Sequence, residues 1–437
     1  MKEKLWHIGN ATTLSLIVAF ITLKLVPEIP YLKEFVDPVL DWDFTDHFYD
    51  DFEEQSVGVD SSFVLVNIGD LDREGIAKLI NRVNKESPLA VGLSMYFTAR
   101  KDSAKDLKLK QALDSTKNLV MVFGNSIQTE PFFLSNATKA YVDLEDDNLG
   151  IGRSLKPTVQ INGEEYWHFA IEMASFLDHT AKDIISKRQK DLEYIKFFGK
   201  QFNFTLLDSK EEDYSLVKDK VVMFGVLGYP TMHDYQFEDN HLTPLNIEYY
   251  GNLIPDMYGV VIHANSVKMI LEKNFINYNR HFDVYGSLIL CFLIMLGYYY
   301  LHNYTRHFLL LARISSLGLI VGSIAVTLWI FSSFSFKFDI SGVVLFLLVG
   351  SDMYEFYFRY YQQALEKAPS QKIRLLQNVF MMMAATLLIS VLFKSSLLIQ
   401  IVSIFLIVYY IAIRVGLVLT ERQTGDKNSM GKHRDTK

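Results

Sequence analysis

The sequence predicts an extracytoplasmic α/β domain with a largely parallel sheet, joined to an α-helical transmembrane bundle of about six spans. Three observations carry this. Apolar runs rich in β-branched residues alternate with stretches of helical periodicity between Ser62 and Leu271. An apolar run near the N-terminus and a dense apolar block after Phe282 are long enough to cross a bilayer, which takes roughly 20 residues per helix. The loops between those runs differ sharply in basic residues, which orients the chain.

Composition bounds the function class. Half of the 437 residues are apolar and mean hydropathy is positive, as in a membrane protein with a sizeable polar domain. The net charge of −7 argues against a nucleic-acid-binding surface, so no nucleic-acid partner is expected. Cys291 is the single cysteine and lies in an apolar run, so neither an intrachain disulfide nor a thiolate metal site can form.

The elements follow in order. Residues 1–27 form a short charged start and an apolar run, Ile8 to Val26, read as an uncleaved anchor that Pro27 and Pro30 stop. Residues 28–281 form the α/β domain, with an acidic, aromatic lead-in from Asp37 to Val59. Its predicted strands are Ser62–Ile68, Pro88–Phe97, Asn118–Gly124, Tyr194–Phe198 and Val221–Phe224; its predicted helices are Arg73–Lys85, Asp106–Asp114, Trp167–Leu177 and Val261–Leu271. Residues 282–420 hold five further spans: Phe282–Leu301, Ile314–Phe334, Ile340–Phe358, Val379–Phe393 and Ser396–Val418. Residues 421–437 are a basic tail.

Arg306 and Arg313, then Arg359, Lys367, Lys372 and Arg374, then the tail from Glu421 carry most of the basic charge around the spans. The intervening loops carry one lysine each. The positive-inside rule therefore puts both termini in the cytoplasm and the large domain outside, in the periplasm of a bacterial inner membrane.

The stretch Val221 to Lys273 carries a more specific signal. Val221-Val222-Met223-Phe224-Gly225, Asp234, Thr243-Pro244, Gly259-Val260 and His263-Ala264 stand in the order of a strand, a polar loop and a helix start. With Phe63–Asp70 and Ala90-Val91-Gly92 upstream, this arrangement resembles the CHASE type-two sensors, the cyclase/histidine-kinase-associated sensory extracellular domains. The resemblance covers about Asp46 to Arg280. It implies an outside α/β domain that senses a signal and passes it through the membrane. Two departures accompany it: a short Asp70-Leu71-Asp72-Arg73 segment after the first strand, and Ser94 where the family usually has an Asp. No kinase, cyclase or phosphate-binding motif follows Arg359.

Candidate ligand-binding residues are Asp70, Asp72, Asp234, Thr243 and His263. Asp70 and Asp72 follow the first strand, where a carboxylate serves a site or a turn and helix cap. Asp234, with His233, Asp239 and His241, offers donors for a metal in no standard spacing, so no metal site and no cofactor are assigned. Thr243-Pro244 fixes a turn. His263 either contacts a ligand or satisfies loop carbonyls from the interior. In the membrane, Asp352, Glu355 and Arg359 at i, i+3 and i+7 share a helix face and are candidates for coupling to a partner, or else form interfacial ion pairs.

The expected function is a membrane sensor or signal-input protein acting through a separate partner in the membrane, periplasm or cytoplasm; self-association as a homodimer stays open. The alternative is a non-catalytic scaffold subunit of an inner-membrane complex. A metal-dependent hydrolase using Asp70, Asp234 and His233 lacks a supporting nucleophile–base pair or metal motif.

Overall fold

Four consecutive apolar side chains of β1 (Asp60–Asn67) are buried on alternating sides, Phe63 and Leu65 one way and Val64 and Val66 the other. A strand apolar on both faces must be covered on both, which is the situation of a parallel sheet between helical layers. The computed structural model describes residues 2–25, 49, 59–124, 128–134, 136–146, 150–228, 239–245 and 255–361. Outside them lie most of the Asp37–Val59 lead-in, the predicted spans Val379–Phe393 and Ser396–Val418, the tail, and His233 and Asp234.

The chain divides into two compact units. The first described here spans Asp41–Tyr278 together with Leu328–Lys337. Its main sheet has six parallel strands in the order β10 (Phe204–Asp208), β1, β11 (Val221–Gly225), β2 (Ala90–Leu93), β3 (Leu119–Val122) and β4 (Thr138–Ala140). On one face lie α2 (Arg73–Lys85) and α3 (Ser103–Asp114), burying Ile76, Ile80, Leu109 and Leu113 against Val64, Val91 and Phe224. On the other lie α4 (Phe169–Leu177), α5 (Ala181–Arg188) and α6 (Gly259–Leu271), packed on Phe63, Val120 and Met223. The helix α6 approaches β11 closely. A Cβ on Gly225, the last residue of β11, would stand 2.6 Å from the Val260 Cβ of α6.

Several expected boundaries shift, each for a local reason. The helix α3 starts at Ser103 rather than Asp106 because the Asp102 carboxylate caps it, accepting from the Ala104 and Lys105 amides at 2.9 and 3.1 Å. The helix α4 starts at Phe169 rather than Trp167. Trp167 closes β8 (Glu164–Trp167), which forms an unpredicted hairpin with β7 (Thr158–Ile161) across Asn162-Gly163. Predicted strand Tyr194–Phe198 reduces to β9 (Glu193–Tyr194), paired antiparallel with β6 (Gly152–Leu155), which also pairs with β5 (Leu144–Asp146). The amides after it are claimed elsewhere: Lys196 donates to the Met269 sulfur, and Phe198 and Gly199 donate to Asn265 Oδ1, so α6 takes the groups a longer strand would need. The true outer strands, β10 and β4, were not expected.

In the second unit, α1 (Lys2–Leu25), α7 (Arg280–Tyr304) and α9 (Ser341–Phe356) pack around Ile8, Ala11, Met295, Phe346 and Tyr354. The polar residues of α1 are absorbed locally: Asn10 donates to the Tyr357 hydroxyl at 3.3 Å, and Thr12 to the Ile8 carbonyl at 2.8 Å. Among the described residues, three helices are long and apolar enough to cross a membrane: Arg280–Tyr304, Phe308–Phe334 (α8) and Ser341–Arg359. They stand where three of the predicted spans stand; the count of six is not reached among the described residues. Ile289, Leu310, Leu317 and Val321 are exposed on these helices, an apolar surface that hydrocarbon would cover.

Candidate functional site

All six strands of the main sheet run the same way, so their carboxyl ends share one edge, the place where open α/β sheets hold ligands. A cavity of about 250 Å³ opens there on the α6 side. Tyr96 reaches it from just beyond β2, and Asp143 from just beyond β4. Asp239 and His241 enter from the polar loop, Gly259 and His263 from the first two turns of α6.

The loop side is held by a small ladder. Asn240–His241 (β12) pairs antiparallel with Met257–Tyr258 (β13), which leads directly into α6. The Gly259 amide donates to the Asp239 carbonyl at 2.9 Å. A Cβ on Gly259 would meet the Asp239 carboxylate at 2.5 Å, so only glycine lets that carboxylate lie against the helix N-terminus, where the peptide dipoles favour negative charge. His241 Nε2 stands 3.4 Å from Asp239 Oδ1, and the Tyr96 hydroxyl donates to Asp143 Oδ1 at 3.4 Å. Burial, followed by the Asp143 carboxylate, raises the Tyr96 pKa above the usual phenol range, so this hydroxyl keeps its proton.

His263 is only 2% exposed, and among the described residues its Nδ1 has no hydrogen-bond partner. Its ring centroid lies 5.3 Å from that of His168 and 5.1 Å from that of Phe169. Burial first, then His168 and His241, pull its pKa well below the ordinary value, so it is a neutral imidazole. His168 is fully buried at the start of α4, its Nδ1 accepting from the Ala170 amide at 3.2 Å. Burial draws its pKa down to about 3, against a smaller opposing contribution from the Val142 backbone.

The other predicted residues lie apart from this cavity. Asp72 is the N-cap of α2, accepting from the Gly75 amide at 2.9 Å and from Lys105 Nζ at 2.6 Å; both helices cover the opposite face of the sheet. The salt bridge, then the Gly75 amide, hold its carboxyl below the usual range. Asp70 is exposed in the turn before it. Asp234 and His233 lie outside the described residues, and among the described residues no cluster of three metal-ligating side chains forms. Asp352 pairs with Arg313 of α8 at 2.8 Å, and Glu355 with Arg359 at 3.1 Å, so each carboxylate has its own basic partner.

Thr243 is buried and bonded to a residue that sequence reasoning passed over. Its amide and hydroxyl both donate to the Asp256 carboxylate, each at 2.7 Å, closing the loop between β12 and β13. Burial pushes Asp256 from 3.8 up to about 6, with the Thr243 hydrogen bonds opposing. A carboxyl whose pKa is higher folded than unfolded binds its proton more tightly in the native state. Stability therefore falls as pH rises from about 4 to about 6 and is level above that. Asp256→Asn is expected to remove this slope; the check is the thermal midpoint of both proteins at pH 4, 5, 6 and 7. Tyr96, Asp143 and His168 were also passed over. Each sits just past a short strand, where only the observed topology identifies a site.

A family model described as the CHASE2 domain matches residues 16–299, about two thirds of the sequence. The chain belongs to the CHASE2 domain family. CHASE2 domains are extracellular sensor domains, and the apolar helices that accompany this one fit a membrane-anchored protein. Neither the curated proteins nor the solved structures gave a match. The residues that carried the CHASE2 resemblance now have physical roles. Gly225 admits Val260, Thr243 ties down Asp256, Gly259 admits Asp239, and His263 walls the cavity. Ser94, where CHASE2 domains usually have Asp, is buried beyond β2 with its amide donating to the Phe224 carbonyl at 2.9 Å.

Proposed function

We propose that this protein is a signal-input subunit whose CHASE2 domain binds a small extracytoplasmic ligand in the cavity at the carboxyl ends of the sheet. Binding shifts α6, and the shift passes to a separate protein partner through the membrane helices. The observation that carries this reading is the position of α6. Its first two turns wall the cavity, and only residues 272–279 separate its end from the apolar helix α7. A ligand moves such an equilibrium by the difference in its affinity for the two states, so contacts made directly to α6 are the effective ones.

Placement in a bacterial inner membrane, with six spans, a periplasmic domain and both termini cytoplasmic, is part of the proposal and rests on the distribution of basic loops. On that orientation Asp352 and Glu355 stand toward the cytoplasmic end of α9 with Arg359 just beyond it, and their ion pairs are the contacts a partner would meet. The test uses Cys291, the single thiol, which is buried on α7. The full chain in lipid nanodiscs is compared with Val142→Trp and Leu144→Phe, which fill the cavity from its strand side. A severalfold change in Cys291 alkylation rate in both is expected. An unchanged rate in both, with the thermal midpoint retained, rejects the relay.

A further inference from the structure

The cavity also carries information about what it binds. Its charged groups are the Asp143 and Asp239 carboxylates, and no Lys or Arg stands among its described walls. The remaining polar groups are the Tyr96 hydroxyl and the His241 and His263 imidazoles.

A second, independent feature points to a ligand. His263 is buried almost completely, yet its Nδ1 has no hydrogen-bond partner among the described residues. With the imidazole neutral and its proton on Nε2, Nδ1 is an acceptor for a hydrogen-bond donor, on a side chain that lines the same cavity as the carboxylates. The Asp239 carboxylate already lies against the N-terminus of α6, so the positive end of that helix is occupied rather than free for an anion. The volume, about 250 Å³, equals roughly eight waters at ~30 Å³ each, room for a small metabolite and less than a drug-sized ligand needs.

Resting on the ligand-binding reading above, we propose that the cavity takes a small organic cation, an aliphatic amine or diamine whose ammonium groups donate to Asp143, Asp239 and His263 Nδ1. Charge-assisted hydrogen bonds of this kind are about twice as strong as neutral ones, so each carboxylate is worth about tenfold or more in affinity.

The test is calorimetric titration of the full chain in nanodiscs with 1,4-diaminobutane, with the neutral 1,4-butanediol and with the anionic succinate. Saturable binding of the diamine alone is expected, weakened about tenfold in Asp143→Asn and in Asp239→Asn and kept in Asp183→Asn, an exposed residue on α5. Because Asp239→Asn touches the α6 terminus, Asp143→Asn provides an independent variant. Absence of diamine binding, or binding that both Asn variants leave unchanged, overturns the cation assignment. Diol or succinate binding that Val142→Trp abolishes also overturns it while keeping the cavity as the input site. The Cys291 experiment, which uses no ligand, decides the relay separately.

Discussion

Asn265→Ala is expected to lower the stability of the outside domain by about 3–5 kcal/mol. Asn265 is fully buried in the middle of α6, and its amide satisfies four backbone groups. Its Oδ1 accepts from the Phe198 and Gly199 amides at 2.6 and 3.2 Å. Its Nδ2 donates to the Gly199 and Val261 carbonyls at 3.0 and 2.9 Å. Val261 keeps its helical partner when the side chain goes, but the Phe198 and Gly199 amides and the Gly199 carbonyl are left in the interior. A buried backbone group without a partner costs about 1–3 kcal/mol, and partial relaxation keeps the total below the sum of three. For a domain of this size the midpoint should fall by roughly 10 °C. Asn265→Asp should also destabilise, since it trades a donor for a second acceptor facing the Gly199 carbonyl. A loss below about 1 kcal/mol for Asn265→Ala in chemical denaturation would show that Asn265 is not what anchors the segment to α6.

Gly225→Val should cost about 3 kcal/mol, the upper end of the range for overpacking. The first added carbon would stand 2.6 Å from Val260 Cβ and 2.7 Å from its Cγ1, well inside contact distance, and the two γ-methyls compound the clash. Gly225 ends a central strand and Val260 lies in the first turn of α6, so neither backbone yields cheaply. The relief available is to push the helix start outward, which moves Gly259 and His263 together. Thermal unfolding measures the first effect, and diamine titration of the folded fraction the second. Gly225→Ala, lacking the branches, should show both in weaker form. Native stability in Gly225→Val would mean that α6 is free to move without cost.

Periodicity in the sequence marks the strands β1, β2, β3 and β11 and the helices α2 and α6, because each buries a continuous apolar run or stripe that few alternatives could use. It misleads where backbone partners decide the outcome. Tyr194–Phe198 has strand composition, yet the side chains of Asn265 and Met269 divert its amides. The outer strand β10 exposes Leu206 while burying Phe204 and Leu207, so its pattern is half solvent and short. Asn162-Gly163, flanked by alternating residues, is a hairpin signal that local reading can find. The candidate site divides similarly. His263 and Thr243 stand out within their motif, whereas Tyr96 and Asp143 are ordinary residues 47 positions apart that meet only because β2 and β4 share a sheet. Asp72 looks like a site residue and is a helix cap because a strand end followed by a helix needs one.

The strand β11 is the last of the six in the sequence but lies near the middle of the sheet, between β1 and β2. That order bears on how the domain is made. Until Val221–Gly225 has emerged, β1 and β2 have no way to reach each other, and both present unpaired edges to other chains. Loop closure over such separations is slow, so the two halves of the sheet, β10 with β1 and β2 with β3 and β4, are joined only when β11 pairs with both. The newborn chain therefore spends its most aggregation-exposed period waiting for one five-residue segment, and the apolar helix α7 follows soon after it. Completion of the outside fold and insertion of the next membrane helix thus fall at nearly the same moment of synthesis.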